Sequence, residues 1–207
     1  MLSLRRLCLH ISCISALVPA MSMATVLYNE SVSGDLSNSQ SSPTPLTLSA
    51  GTNSIIGSVG TGDTADWVAL TIPAGMQLRS DVLAAYSSTD VQGFTGFQAG
   101  SSFVGNPETT ASAYLGYAHF GTAASNNGAA TNLVSHDLLP IMANPLTSPG
   151  AQGFTDPLAA GTYTFLIQQL GAPTNYQFDF GVTPAPEPAS AALLALALPM
   201  LRRKSAR

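Results

Sequence analysis

Basic residues, cysteine and histidine are all scarce in this sequence, and each shortage closes off a kind of chemistry. Only 7 of 207 residues are Lys or Arg, and six of those sit near the ends: Arg5, Arg6, Arg202, Arg203, Lys204 and Arg207. Between residues 25 and 183 Arg79 stands alone against ten acids, a net charge of −9. Nucleic-acid affinity rests on Lys and Arg displacing counterions, so this span excludes nucleic acid as a partner. Anionic lipid headgroups are disfavoured for the same reason, which leaves cations, neutral sugars and other proteins. Both cysteines, Cys8 and Cys13, lie in the first segment, so no disulfide or thiolate metal site is available beyond it. His119 and His136 are the histidines of the central span and form no H-x-x-x-H pair, so zinc is not expected. The run Gly57 to Gly62 (GSVGTG) lacks the Lys-Ser or Lys-Thr of a phosphate loop and reads as a hairpin turn.

What is present divides the chain into three. Arg5 and Arg6 precede an apolar run from Leu7 to Val18, and Ser22, Met23 and Ala24 supply small residues at a cleavage position. Residues 1–24 therefore read as a secretory signal peptide cleaved after Ala24, with Ala20 as the other candidate. The apolar run is too short to span a membrane.

Residues 184–207 read PAPEPASAALLALALPMLRRKSAR. Prolines at 184, 186 and 188 fix φ and remove donors, so regular structure must end near Thr183. Ala189 to Leu201 is an apolar helix-forming run, and its thirteen residues reach roughly 20 Å, short of the ~30 Å hydrocarbon core. The four bases after it stay on the cytoplasmic side by the positive-inside rule. A core helix would show polar residues at a 3.6-residue period, and after Ser190 none occurs before Arg202. A lipid-anchor signal would end on its hydrophobic tail, whereas here bases follow it. This order of Pro-Glu-Pro, short apolar helix and basic tail resembles the PEP-CTERM sorting signal of exported bacterial proteins. The resemblance implies recognition at Pro186, Glu187 and Pro188 by a membrane-embedded exosortase, with Ala185 standing where Val is frequent. It further implies a transient stay in the inner membrane, held by the basic stop at Arg202, Arg203, Lys204 and Arg207. Release to the envelope, surface or extracellular matrix would follow.

The 159 residues between these ends suffice for one domain. Short alternating segments recur: near Val26 to Ser31, around Leu46 and Leu48, at Ile55 and Ile56, and from Trp67 to Ile72. Pro73, Ala74 and Gly75 read as a turn into a strand from Leu78 to Tyr86 whose shared face is Leu78, Ser80, Val82, Ala84 and Tyr86. Phe94 to Phe103 reads as a bulged or edge strand. Ala113 to Phe120 alternates again, and Leu133 to Met142 reads as a short strand or helical turn inside a long irregular stretch. Thr162 to Leu170 and Tyr176 to Val182 read as a hairpin closed by Gly171 to Asn175. No amphipathic helix exceeds about two turns. Many short strands with frequent turn signals predict an all-β fold, a β-sandwich or jelly roll, between a signal peptide and a C-terminal hydrophobic helix. The segments GDTADWVALTIPAG (62–75) and PLAAGTYTFLIQ (157–168) resemble the pre-peptidase C-terminal type of bacterial β-sandwich. Such modules are generally noncatalytic attachments of secreted enzymes, which implies binding or scaffolding.

Candidate chemistry is sparse. Ser135, His136 and Asp137 are consecutive, and neighbouring residues of an extended chain face opposite ways, so they do not form a nucleophilic triad. Asp63 and Asp66 flank a Gly-rich turn and offer hard oxygen ligands for Ca2+, with Asp81, Asp90 and Asp179 as possible additions. The competing reading is that Asp shapes the turn by Asx hydrogen bonds. Trp67 and the tyrosines would stack on sugar rings if exposed and build core if buried. These observations predict an exported, noncatalytic structural or ligand-binding protein without an obligatory cofactor, Ca2+ being the one candidate. A calcium-dependent adhesin or a carbohydrate-binding module is the alternative, with extracellular polysaccharide or surface proteins as partners. A secreted hydrolase using His119 or His136 is a more distant one.

Overall fold

Alternating hydrophobicity with little helix-forming sequence yields strands, and the computed structural model, which describes residues 24–186, is mostly β. In chain order the elements are β1 (Thr25–Asn29), α1 (Glu30–Ser33), β2 (Thr44–Thr47), β3 (Gly51–Val59), β4 (Ala65–Ser88), β5 (Gln92–Ala99), β6 (Gly116–Gly121), α2 (Leu139–Ala143), β7 (Leu158–Gln168) and β8 (Thr174–Pro184). They form one mixed sheet ordered β1-β3-β8-β4-β7-β5-β6, with β2 pairing β4 in parallel. Among the described residues no helix is long and apolar enough to cross a membrane.

The 24-residue β4 organises the sheet. Its first half pairs β7, from Ala65 opposite Gln168 to Ile72 opposite Gly161. The register then shifts between Ile72 and Gln77, and the second half pairs β8 from Met76 to Ser88. Pro73 to Gly75 is therefore not a turn between two strands but an irregularity inside one, where Gly75 takes a positive φ of 76°. The hairpin expected from Thr162 to Val182 does not form either: β7 and β8 lie on opposite sides of β4. The run Gly57 to Gly62 does end in a tight turn, closed by the reciprocal backbone hydrogen bonds of Gly60 and Asp63, but it joins no paired β3 and β4, because β3 pairs β1 and β8.

Burial follows these registers. Beyond Leu78 the pairing with β8 slips at Arg79 and again at Ala84, so the inward residues are Leu78, Asp81 and Leu83. The expected face through Ser80, Val82 and Ala84 is displaced by the first bulge, since one extra residue reverses strand parity. β5 is an interior strand with β6 and β7 on its flanks, not an edge. The main core joins Val68, Leu70 and Ile72 of β4 to Phe165, Ile167, Phe178, Phe180 and Val182. A smaller one forms on the other face of β4, β5 and β7, where Trp67, Phe103, Tyr114 and Leu166 pack beneath the 100–115 connection. Trp67 packs tilted against Phe103, with ring centroids 5.1 Å apart. Leu133 to Met142 resolves into an irregular segment that ends in α2.

Candidate acidic metal site

Asp66 sits near the start of β4, between Ala65 and the core residue Trp67, and alternation turns its carboxyl inward, where it is 0 % exposed. One oxygen is satisfied: Tyr176 on β8 donates its hydroxyl to Asp66 Oδ2 at 2.5 Å. The other, Oδ1, is buried without a partner. Tyr176 lies opposite Gly57 of β3, where any Cβ would collide with the phenol, so glycine there makes room for the hydroxyl to arrive.

Two further acids reach the same place from the segment after β1. Asn29 caps α1 by accepting from Ser31 N at 3.0 Å, which holds Glu30 in the first turn. The Glu30 carboxylate accepts from Leu36 N at 3.1 Å through Oε1 and from Ser58 N at 2.7 Å through Oε2. Gly34, at φ 92°, reverses the chain directly before Asp35. One carboxylate oxygen each from Glu30, Asp35 and Asp66 then lies within 4.8 Å of the other two. Asp63 stands beside them, in a turn closed by Gly60 N to Asp63 O at 2.6 Å and Asp63 N to Gly60 O at 3.0 Å. Its Oδ1 is also buried and unpartnered.

The electrostatics of this cluster are uncompensated. Burial pushes the Asp66 carboxyl up to about 8, with the charges of Glu30, Asp63 and Asp35 adding to the shift and the Tyr176 hydrogen bond opposing it. Burial also raises Glu30, against the backbone amides of Leu36 and Ser58, and raises Asp63, helped by Asp35. Arg79, the one Lys or Arg among the described residues, acts instead on Asp156. Oxygens sharing one Ca2+ at about 2.3–2.6 Å can be up to roughly 5 Å apart, so the spacing and the all-oxygen donor set fit that ion.

Of the expected metal residues, Asp66 enters the cluster and Asp63 borders it, whereas Asp81, Asp90 and Asp179 lie elsewhere. Asp81 is buried in the core with both oxygens unpartnered, Asp90 caps Val91 N at 2.7 Å, and Asp179 accepts from Ser54 at 2.7 Å. Glu30 and Asp35 complete the group instead. Their only signal in the sequence is an acid in the Asn-Glu-Ser of a helix start and another after a glycine.

The remaining candidates serve local structure. Ser135 N donates to Leu83 O, His136 Nδ1 meets the Val134 carbonyl at 3.0 Å, and Asp137 Oδ1 accepts from Asp81 N at 2.8 Å and Leu139 N at 3.0 Å. Trp67 is 3 % exposed and belongs to the core rather than to a sugar platform. Ala24 and Pro186 are exposed at the two limits of the described chain. Glu187, Pro188, Arg202, Arg203, Lys204 and Arg207 lie outside the described residues, as do residues 1–23, where a signal peptide is expected, and the C-terminal apolar run. The chain matches no protein-family model and no curated protein.

Proposed function

We propose that this chain is an exported, noncatalytic β-sandwich of the cell envelope or extracellular matrix that binds a ligand and is fastened by Ca2+. The observation that carries the reading is Asp66 Oδ1: a fully buried carboxylate oxygen without a partner, beside Glu30 and Asp35 and away from any base. A buried, unpaired carboxylate needs either a proton or a cation. Ca2+ supplies the cation from the extracytoplasmic space, with Glu30, Asp35 and Asp66 as carboxylate ligands and Asp63 oriented by the neighbouring turn. Binding there ties the segment after β1 to β3, β4 and β8, because Glu30 holds Ser58, and Asp66 holds Tyr176.

The sandwich reading rests on β4. Its first half belongs with β2, β7, β5 and β6 and its second half with β8, β3 and β1, which supports a reading in which the irregularity after Ile72 is the point where one strand passes between two layers. Export and processing rest on the two-ended sequence pattern, with the Pro-Glu-Pro segment as the exosortase signal.

Thermal melting of the full chain tests the calcium half. Millimolar Ca2+ should raise the melting temperature by several degrees over EDTA, since a ligand at a hundredfold excess over its Kd stabilises by about 2.7 kcal/mol. An unchanged melt sinks it. Intact mass and cell fractionation test the sorting half. Loss of the tail near Pro186 in the native protein, and its retention when Pro186 and Pro188 become Ala, is the expected pair of results. Identical processing of both forms overturns it.

A further inference from the structure

On the face of the sheet opposite the main core, a cleft of about 490 Å3 opens over the ends of β5, β6 and β7. Strand register builds its floor: Phe94 of β5 lies opposite His119 of β6 on one side and Gln168 of β7 on the other. Tyr114 and Tyr117 pack against the Phe94 ring, at 5.7 Å each, and Pro107 and Glu108 of the connection before them form a wall. The Tyr114 hydroxyl fixes that wall by donating to Pro107 O at 2.8 Å. The His119 ring also meets Phe94 edge-on at 5.7 Å, and Phe94 remains half-buried where it lines the open groove.

The polar groups around this ring have unused capacity of one predominant kind. Asp90 accepts from Val91 N through Oδ1 and keeps Oδ2, and the exposed Glu108 also lines the cleft. His119 Nδ1 meets the Ser125 carbonyl at 3.0 Å; that carbonyl only accepts, so Nδ1 carries a proton and, in the neutral imidazole, Nε2 is the acceptor. Gln92 accepts from Ser125 N through Oε1 and keeps its amide donors, while Gln168 lies beside Phe94 with a whole carboxamide to offer. Gln169, by contrast, is locked in structure through Gln92 O and Gly171 N. No Lys or Arg lines the cleft.

We infer that this cleft binds a neutral saccharide, a pyranose lying on Phe94 with its hydroxyls donating to Asp90, Glu108 and His119 and accepting from Gln92 and Gln168. An aromatic floor takes the C–H face of a sugar ring, and a ring of acceptors with a few amide donors suits an uncharged polyol. Polyanionic glycans meet two carboxylates and no base, so they are disfavoured. The inference deepens the ligand-binding part of the function proposed above and rests on it.

The test is calorimetric titration of the full chain, in a sugar-free detergent, with a panel of neutral hexose and pentose oligosaccharides. Oligogalacturonate serves as the anionic arm and a glucosamine oligomer as the cationic arm. At least one neutral oligosaccharide should bind. Phe94→Ala should weaken it by about tenfold or more, and Gln168→Ala by a few-fold. Gln168→Ala keeps the measurement decisive if Phe94→Ala fails to fold, because its loss removes no core packing. Binding by none of the neutral sugars, binding by the charged oligomers alone, or binding untouched by Gln168→Ala overturns the inference. The Ca2+ melting shift on the same preparation reports on the acidic site, so failure there is read separately from failure in the cleft.

Discussion

Tyr176 donates its hydroxyl to Asp66 Oδ2 at 2.5 Å, joining two buried groups 110 residues apart in sequence. The contact exists because three strands agree: β4 turns Asp66 inward, β8 turns Tyr176 toward it, and β3 presents Gly57 where a side chain would block the phenol. Burial raises the Tyr176 pKa well above its ordinary value, with the Asp66 charge adding to that effect, so the phenol remains a donor at physiological pH.

Tyr176→Phe keeps the ring and removes the sole hydrogen bond to the Asp66 side chain. Leaving a buried carboxyl without a partner costs about 1–3 kcal/mol, so the variant should melt several degrees below wild type in EDTA. Ca2+ bound at Asp66 should recover part of the loss, because the ion satisfies the carboxylate directly. Differential scanning calorimetry in both conditions checks this, and an equal melt for variant and wild type in EDTA contradicts it.

Asp137 gives the second prediction. Its Oδ1 accepts from Asp81 N and from Leu139 N, tying the irregular segment before α2 to the second half of β4. Asp137→Ala leaves two backbone donors without that acceptor and should destabilise by about 1–3 kcal/mol. Asp137→Asn retains a carbonyl oxygen at the same place and should lose much less. Denaturant melts of the pair decide it: equal losses would show that the charge, not the acceptor, is what matters.

Strand existence was legible in the sequence and strand partnership was not. Tyr176, Phe178, Phe180 and Val182 alternate without a break, and all four are buried. Alternation is a property of one strand, however, and cannot say that β4 inserts between β7 and β8. The bulge at Arg79 hid the inward position of Asp81, because it adds a residue and resets parity. Half of the acidic site was visible, since Asp63 and Asp66 are close in the chain. Glu30 and Asp35 were not, because their segment reads as an ordinary polar connection and joins the acidic cluster only when β1 pairs with β3. The row His119, Phe94 and Gln168 is likewise a product of register across three strands.

The titration of Asp66 supplies the last prediction. Its carboxyl moves from an ordinary value of 3.8 to about 8 in the folded chain. Between those values the folded protein holds a proton that the unfolded chain has released, so stability falls as pH rises from about 4 to about 8 and levels off above that. Asp81 is raised by burial and by the Asp137 charge and contributes with the same sign, so the slope alone does not isolate Asp66. Asp66→Asn does. It cannot ionise, so in EDTA its melting temperature should fall less steeply than wild type across this window. Ca2+ must displace the Asp66 proton to bind, so its stabilising increment in wild type should grow with pH toward 8. In Asp66→Asn that increment should be small and flat. Melting curves at pH 5, 6.5 and 8, with and without Ca2+, give both slopes. If wild type and Asp66→Asn run parallel in EDTA and respond alike to Ca2+, Asp66 is neither the titrating group nor a ligand.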